Sequence, residues 1–348
     1  MGWRAPEPDE YTLTVEYDSD RRTHTFRLLR GGELLPPMES APLVGTREQV
    51  LSGLNEVMNE LARNKPRYDY AQARDWLEGK GAQMFRQLLP KELQQVLWEA
   101  RHRMARLNII APGGQLPWEM LFLMDPDPAP DSTDPGLFLA DATVVVRWLY
   151  GEGAPALIQR APAYVVIPAN SPPSAQQEQA SVAMVCGPPT LVSDLNGLRD
   201  LTRNGTFRWL HFASHNITLP GQFGTSYIPF GNSPFSQELM ESIPARRYAA
   251  NRPLVFMNAC TTAGAQPLFT ETTGWADTFL KRGAAAFVGS LWEVRDQSAA
   301  AFAHAFYQAL KEGRNLGNAL RAARAALDPG DPTYLAYALY GNPRATLQ

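Results

Sequence analysis

After Pro155 the chain changes character, and that change restricts its fold more than any other feature of the sequence. Short apolar runs begin to alternate with helical stretches. Tyr164-Val-Val-Ile167 reads as a buried strand, residues 176–185 as a helix, Thr190-Leu-Val192 as a short strand and residues 194–203 as a helix. Strands over residues 207–213, 254–258 and 285–292 follow, with helical character at 274–281. Two closing helices place Ala299, Phe302, Ala303, Phe306 and Leu310 on one face, then Leu316, Ala319, Leu320, Ala323 and Leu327 on another. Strands apolar on both faces, each followed by a helix, predict an α/β fold with a mostly parallel sheet flanked by helices.

The N-terminal part has a different texture. Residues 11–17 and 23–29 alternate apolar and polar around the turn Asp18-Ser19-Asp20, which predicts a β-hairpin. Val50, Leu51, Leu54, Val57, Met58 and Leu61 recur at helical spacing and predict a helix over 46–63. A second amphipathic stretch covers about 81–107, broken by Pro90, and the proline-rich segment 125–136 reads as a surface loop. This predicts a hairpin-and-helix module at 1–80 and an α/β domain at 81–348.

Composition excludes several classes of function. A net charge of −3 gives no electrostatic case for binding nucleic acid. No stretch approaches the length of a membrane span, the start of the chain has no signal-peptide core, and Pro6 breaks the myristoylation pattern. The chain is therefore expected in the cytoplasm, with no membrane partner. Cys186 and Cys260 are the only cysteines, which excludes a disulfide scaffold and a cysteine-rich zinc site. No G-x-S-x-G, Walker A, H-E-x-x-H or complete G-x-G-x-x-G motif is present, and neither a metal nor another cofactor is expected.

In open α/β sheets, reactive groups gather past the carboxyl ends of the strands. Two strands here are expected to end on chemically loaded residues. Trp209-Leu-His-Phe-Ala-Ser-His215 stops at His215 and meets Asn216; Leu254-Val-Phe-Met-Asn-Ala-Cys260 stops at Cys260 and meets Thr261-Thr262-Ala263-Gly264. If these strands are parallel neighbours, imidazole and thiol share one sheet edge. A thiol is only a few per cent ionised at neutral pH, so a nucleophilic cysteine needs a nearby base, and histidine can also protonate the leaving amine. The oxyanion needs donors already in place, with the backbone N–H of Cys260 a natural candidate beside one from the loop after His215. Cys186 lies in the apolar run Val182-Ala-Met-Val-Cys186 and reads as core, and His211 as a packing or hydrogen-bonding residue.

These residues carry a family resemblance. His211-Phe-Ala-Ser-His215, Asn258-Ala-Cys260-Thr-Thr-Ala and the run from Gly283 through Leu291-Trp-Glu293-Val-Arg-Asp296 resemble the CHAT domain, a branch of the caspase, separase and gingipain superfamily. Leu116-Pro-Trp-Glu119, Phe138-Leu-Ala140, Val144-Val-Val-Arg-Trp-Leu149 and the closing segment from Tyr334 to Pro343 extend the likeness, in order, to about residues 80–345. The resemblance implies a caspase-like sheet, with a pseudo-caspase half at about 81–155 and a catalytic half at about 156–348. It also implies a His215/Cys260 dyad in a thiol protease that cuts a protein substrate. Backbone N–H groups of Asn216 and Cys260 would form the oxyanion hole. The family usually has glycine where this chain has Asn216; asparagine tolerates the left-handed conformation better than most residues.

Relatives act in bacterial immunity and cell death, including antiviral defence, by cleaving effectors such as pore-forming proteins. The resemblance therefore implies a protein substrate, encoded nearby, and a separate sensor protein. Glu293 and Asp296 occupy the segment that lines the substrate pocket in this superfamily. A carboxylate there would favour Arg or Lys before the scissile bond, but Arg295 could neutralise Glu293 and Asp296 also stands where a helix N-cap would, so a neutral or extended-motif preference, or an acidic one, stays open. An inactive adaptor that binds a partner through the same cleft is the alternative reading, and a thiol acyltransferase a third.

Overall fold

The apolar runs form the centre of one large sheet. The computed structural model describes residues 9–44, 69–111, 116–131, 133–148, 154–218, 226–242, 245–261 and 268–348, and for 218, 241, 245–247, 260–261 and 268–273 it describes the backbone. The principal strands are β1 (Glu10–Asp18), β2 (Thr23–Arg30), β3 (Arg106–Ile110), β4 (Val144–Trp148), β5 (Ala163–Val166), β6 (Thr190–Val192), β7 (Trp209–Thr218), β8 (Ser226–Phe230), β9 (Ser233–Ser236), β10 (Leu254–Thr261), β11 (Ala286–Ser290) and β12 (Tyr337–Gly341). Their order across the sheet is β6-β5-β7-β10-β11-β12-β4-β3-β1-β2. The pairings from β6 to β11 are parallel, β12 is antiparallel to β11, and β4, β3 and β1 continue in parallel before β2 turns back.

The principal helices are α1 (Tyr70–Leu88), α2 (Lys91–Ala100), α3 (Ala175–Cys186), α4 (Leu195–Asn204), α5 (Leu268–Lys281), α6 (Asp296–Lys311), α7 (Leu316–Ala325) and α8 (Thr333–Ala336). Local chemistry sets several of their ends. Asp69 and Gln72 exchange side-chain and backbone bonds in a capping box that starts α1, and Asp194 accepts from the Gly197 N–H to start α4. Gly187, at φ 74°, ends α3 in a conformation that costs glycine little.

Side-chain alternation distributes the helices over the two faces. Phe256 on β10 meets Phe306 and Tyr307 of α6, whereas Phe212 on β7 meets Phe279 of α5. Helices α3 and α6 thus share one face of strands β7 and β10, and α5 covers the other. In the other half, Arg147 and Glu119 form a buried ion pair at 2.6 Å, and Arg147 also donates to the Leu116 carbonyl. The segments Leu116–Glu119 and β4 are thereby fastened together, an assignment of their charged residues to structure. Among the described residues, no helix is long and apolar enough to cross a membrane.

Several sequence expectations change. The helix expected over 46–63 lies outside the described residues, and the stretch expected as helical to residue 107 gives way to strand β3 at Arg106. Leu107, Ile109 and Ile110 make a short apolar run, and periodicity alone does not separate strand from helix at that length. The hairpin β1–β2 forms as read, and β1 pairs in parallel with β3, so it extends the sheet. Strand β7 does not stop at His215 but runs to Thr218, because Ile217 and Thr218 pair with β8. Likewise β10 runs through Cys260 to Thr261. The β8–β9 hairpin and the short helices at 237–241 and 245–251 had no counterpart in the sequence reading.

Candidate active site

Register brings the two predicted catalytic positions together. On the parallel strands β7 and β10, His215 pairs with Cys260 and Asn216 with Thr261. Neighbouring strands lie about 4.8 Å apart, so residues 215 and 260 stand abreast near the carboxyl edge of the sheet. The strands are held in this register by the core beneath. Trp209, Leu210, Phe212, Leu254, Val255 and Phe256 are all fully buried.

Below this pair, on the same face, lies a polar network. His211, two pleats before His215, is completely buried; its Nδ1 lies 2.6 Å from the Tyr307 hydroxyl and its Nε2 2.7 Å from Glu178 Oε2. An ionised carboxylate only accepts, so Nε2 donates to Glu178, and in a neutral imidazole Nδ1 accepts from Tyr307. Asn258 Nδ2 donates to the same Glu178 oxygen at 2.8 Å, and the Tyr337 hydroxyl donates to Asn258 Oδ1. The chain of bonds therefore crosses α6, β7, α3, β10 and β12. Burial pushes the Tyr307 hydroxyl far above the usual tyrosine range, which keeps it a donor.

His215 shares the strand and face of His211 but not its surroundings. It is half-buried, and its Nδ1 is buried with no hydrogen-bond partner among the described residues. Burial lowers its pKa below the ordinary histidine value, and the charge of Asp296 partly opposes that shift. At neutral pH the imidazole is thus held in the form that can accept a proton. Cys186, the last residue of α3, has its thiol pushed up to about 12 by burial, with Arg160 opposing weakly. A thiol of that kind is a poor nucleophile.

The remaining predicted residues are placed as follows. Asn216 lies in extended strand backbone, not in the left-handed conformation, and is buried with Oδ1 unpartnered among the described residues. Asp296 is the first residue of α6, and Arg295, not Asp296, holds the N-cap position without a side-chain bond. The Asp296 carboxylate instead reaches across to Ser174, accepting from its Oγ at 2.8 Å and its N–H at 3.2 Å. This ties the start of α6 to the start of α3 beside His215. Glu293 is half-buried between the buried Trp292 and Val294. Arg295 turns toward Tyr70, at 3.1 Å, and Asp331, at 3.9 Å. Among the described residues, no three His, Cys, Asp or Glu side chains converge as a metal site.

Sequence reasoning passed over Glu178, Ser174, Tyr307 and Tyr337. Glu178 carried a signal, because it shares a helical face with Val182 and Val185, where an exposed glutamate has no place. Ser174 and Tyr337 had none, since their partners lie 122 and 79 residues away.

Comparison with known proteins fits this geometry. No curated protein matches the chain in sequence. Among solved structures it is similar to separase of Saccharomyces cerevisiae in its complex with securin, at 11% identity and a TM-score of 0.52, over 98% of this chain and 30% of that one. It is also similar to gingipain R, an Arg-specific cysteine proteinase, at 13% identity and a TM-score of 0.50, over 80% of this chain and 76% of that one. The chain thus spans about a third of the separase chain, and at these identities the likeness is one of fold, a caspase-like sheet flanked by helices. The family model of the CHAT domain matches residues 79–341, which contain β3 to β12, the network and both predicted catalytic positions. The chain belongs to the CHAT domain family.

Proposed function

We propose that this protein is a cysteine endopeptidase with Cys260 as nucleophile and His215 as general base. The observation that carries the reading is the pairing of His215 with Cys260 on adjacent parallel strands. A caspase-like fold shared with an Arg-specific cysteine proteinase supports it. In the first step the Cys260 proton moves to the His215 imidazole as sulfur bonds to the scissile carbonyl carbon, and the carbonyl electron pair moves to oxygen. Backbone N–H groups of Cys260 and Asn216 would receive that oxyanion. Collapse breaks the C–N bond, the amine takes the proton from His215, and the peptide remains as a thioester. Water, deprotonated by His215, then releases it and restores the thiol. Asp296 and Glu293 would meet the side chain before the scissile bond, and a basic residue suits them by charge.

The substrate in this reading is a protein effector, such as a pore-forming protein of a bacterial defence or cell-death pathway. It would be encoded beside this chain, with activation supplied by a separate sensor. One observation favours the adaptor reading, in which the cleft binds without cutting: Asn216 stands in extended backbone where the family usually has glycine. Timed alkylation with iodoacetamide, followed by mapping of the modified cysteine, separates the two. A peptidase shows rapid labelling of Cys260 that slows at least about a hundredfold in His215→Ala. Labelling indifferent to His215, together with failure to cut any neighbouring gene product, favours the adaptor.

A further inference from the structure

Away from the strand edge that carries His215, a cavity of about 530 Å³ opens between α1, α7 and α8. That volume is ordinary for a small-molecule site. Its lining is unusual in charge: Arg74, Arg321 and Arg324 contribute cations, and Asp141 is the one acid among the lining residues. Arg74 is already occupied, paired with Glu78 and donating to the Tyr334 hydroxyl at 2.7 Å. Arg321 is exposed, and its bond to the Asp141 carbonyl is long, at 3.4 Å.

Arg324 is the decisive residue. It is 4% exposed, and it donates to the backbone carbonyls of Tyr334 at 2.9 Å and Tyr337 at 2.6 Å. A guanidinium carries five N–H donors, so two bonds leave capacity unused. Among the described residues no close ion pair reaches Arg324; the charges of Glu119 and Asp141 act on it from farther away, and burial still lowers its pKa below the ordinary arginine value. Burying a cation is unfavourable unless it is closely paired, and the close partners of Arg324 are neutral carbonyls, with Glu119 and Asp141 acting at longer range. The burden falls on a wall that is otherwise firmly built. Gly330 lies so close to Tyr70 that a Cβ there would stand 1.9 Å from the Tyr70 carbonyl oxygen, and Tyr334 packs edge-on against Phe138.

We propose that this cavity binds a small organic anion, whose carboxylate or phosphoryl group is held between Arg321 and Arg324. Either group offers the two acceptor oxygens that a guanidinium fork matches. Three arginines face a single acid, Asp141, in the lining, and the ligand anion adds further negative charge to that cluster. Tyr334 contributes an aromatic wall at the same site.

The test is calorimetric titration and thermal unfolding of the full chain with inorganic phosphate, with succinate, and with sodium chloride at matched ionic strength. Saturable heat and a rising melting temperature are expected with phosphate or succinate, and not with chloride. Arg321→Glu should weaken that binding about tenfold or more, as loss of a charge-assisted contact does. Arg321 is exposed, so this variant keeps its fold, whereas Arg324→Lys removes a buried clamp and serves only if it folds. A response to phosphate alone identifies a phosphoryl ligand, and one to succinate alone a carboxylate. Equal responses assign the site to the charge that both share. No saturation with either probe, or binding by Arg321→Glu equal to that of the unaltered chain, overturns the proposal.

Discussion

His211 and His215 stand on one strand and one face, two pleats apart, yet their surroundings give them opposite chemistry. His211 is fully enclosed, and both ring nitrogens are engaged, by Tyr307 and Glu178. His215 is half-buried, with Nδ1 unpartnered among the described residues and its pKa lowered by burial. An imidazole whose two nitrogens are saturated has no site for a proton in transit. One with a free nitrogen and a depressed pKa accepts a proton at neutral pH. What separates a structural histidine from a candidate base is therefore the number of partners, which the four-residue spacing does not reveal. The network around His211 also fixes the strand register, because it links β7, β10 and β12 below positions 215 and 260.

The sharpest way to break this contrast is to remove each histidine in turn. His215→Ala is expected to lower cleavage at least about a thousandfold, as loss of a base in a catalytic unit does, while the melting temperature moves by only a few degrees. Cys260→Ala should match it, and the double variant should be no worse than either alone. His211→Ala should do the reverse in kind. It leaves the Glu178 carboxylate buried with one donor fewer, a defect costing about 3–5 kcal/mol. Denaturant unfolding measures it. A His211→Ala protein as stable as the parent would show that the network contributes little, and residual turnover by Cys260→Ala would end the dyad.

The two cysteines give a smaller version of the same comparison. Cys186 ends α3 with its thiol pushed up to about 12, in contact with the core. Cys186→Ser should therefore cost about 1–3 kcal/mol in stability, for placing a hydroxyl where a thiol packs, and leave Cys260 labelling at its original rate. Loss of labelling with unchanged stability would mean that the nucleophile has been assigned to the wrong residue.

How far the sequence carried these assignments depended on range. Residues that alternate or repeat within one element were legible: the β1–β2 hairpin, the strand around His211 and His215, and the closing helices all lie where periodicity placed them, within a few residues. The β3 strand was not, because five residues of apolar run after a helix carry no period of their own. At the site, His215 and Cys260 were visible as residues that load the ends of apolar runs. Ser174 and Tyr337 were not, since each acquires meaning only from a partner on a distant element, and Glu178 offered only its place on an apolar helical face. Asp296 was visible as a residue and not as a contact. An aspartate before a helix suggests an N-cap, but the fold brings Ser174 to it from across the sheet edge, and the carboxylate binds there.

Asp296 also gives the smallest effect and the finest test of what sets His215. Two influences act on this imidazole in opposite directions: burial lowers its pKa, and the Asp296 charge raises it, with burial the larger. Asp296→Asn removes the second and leaves the first, so the pKa should fall further. If neutral His215 is the base, the rate of Cys260 alkylation rises with pH through that pKa. The acid limb of the profile should then lie below the usual histidine range, near 6.5, and shift lower still in Asp296→Asn. Stability follows the same linkage. A histidine whose pKa is lower folded than unfolded binds protons more readily when unfolded, so its contribution is lost as pH falls through the unfolded value. That loss should deepen in Asp296→Asn, which gives a second readout free of any substrate. An acid limb that moves upward, or stays in place while cleavage loses its preference for basic residues, would assign Asp296 to the substrate and not to the base.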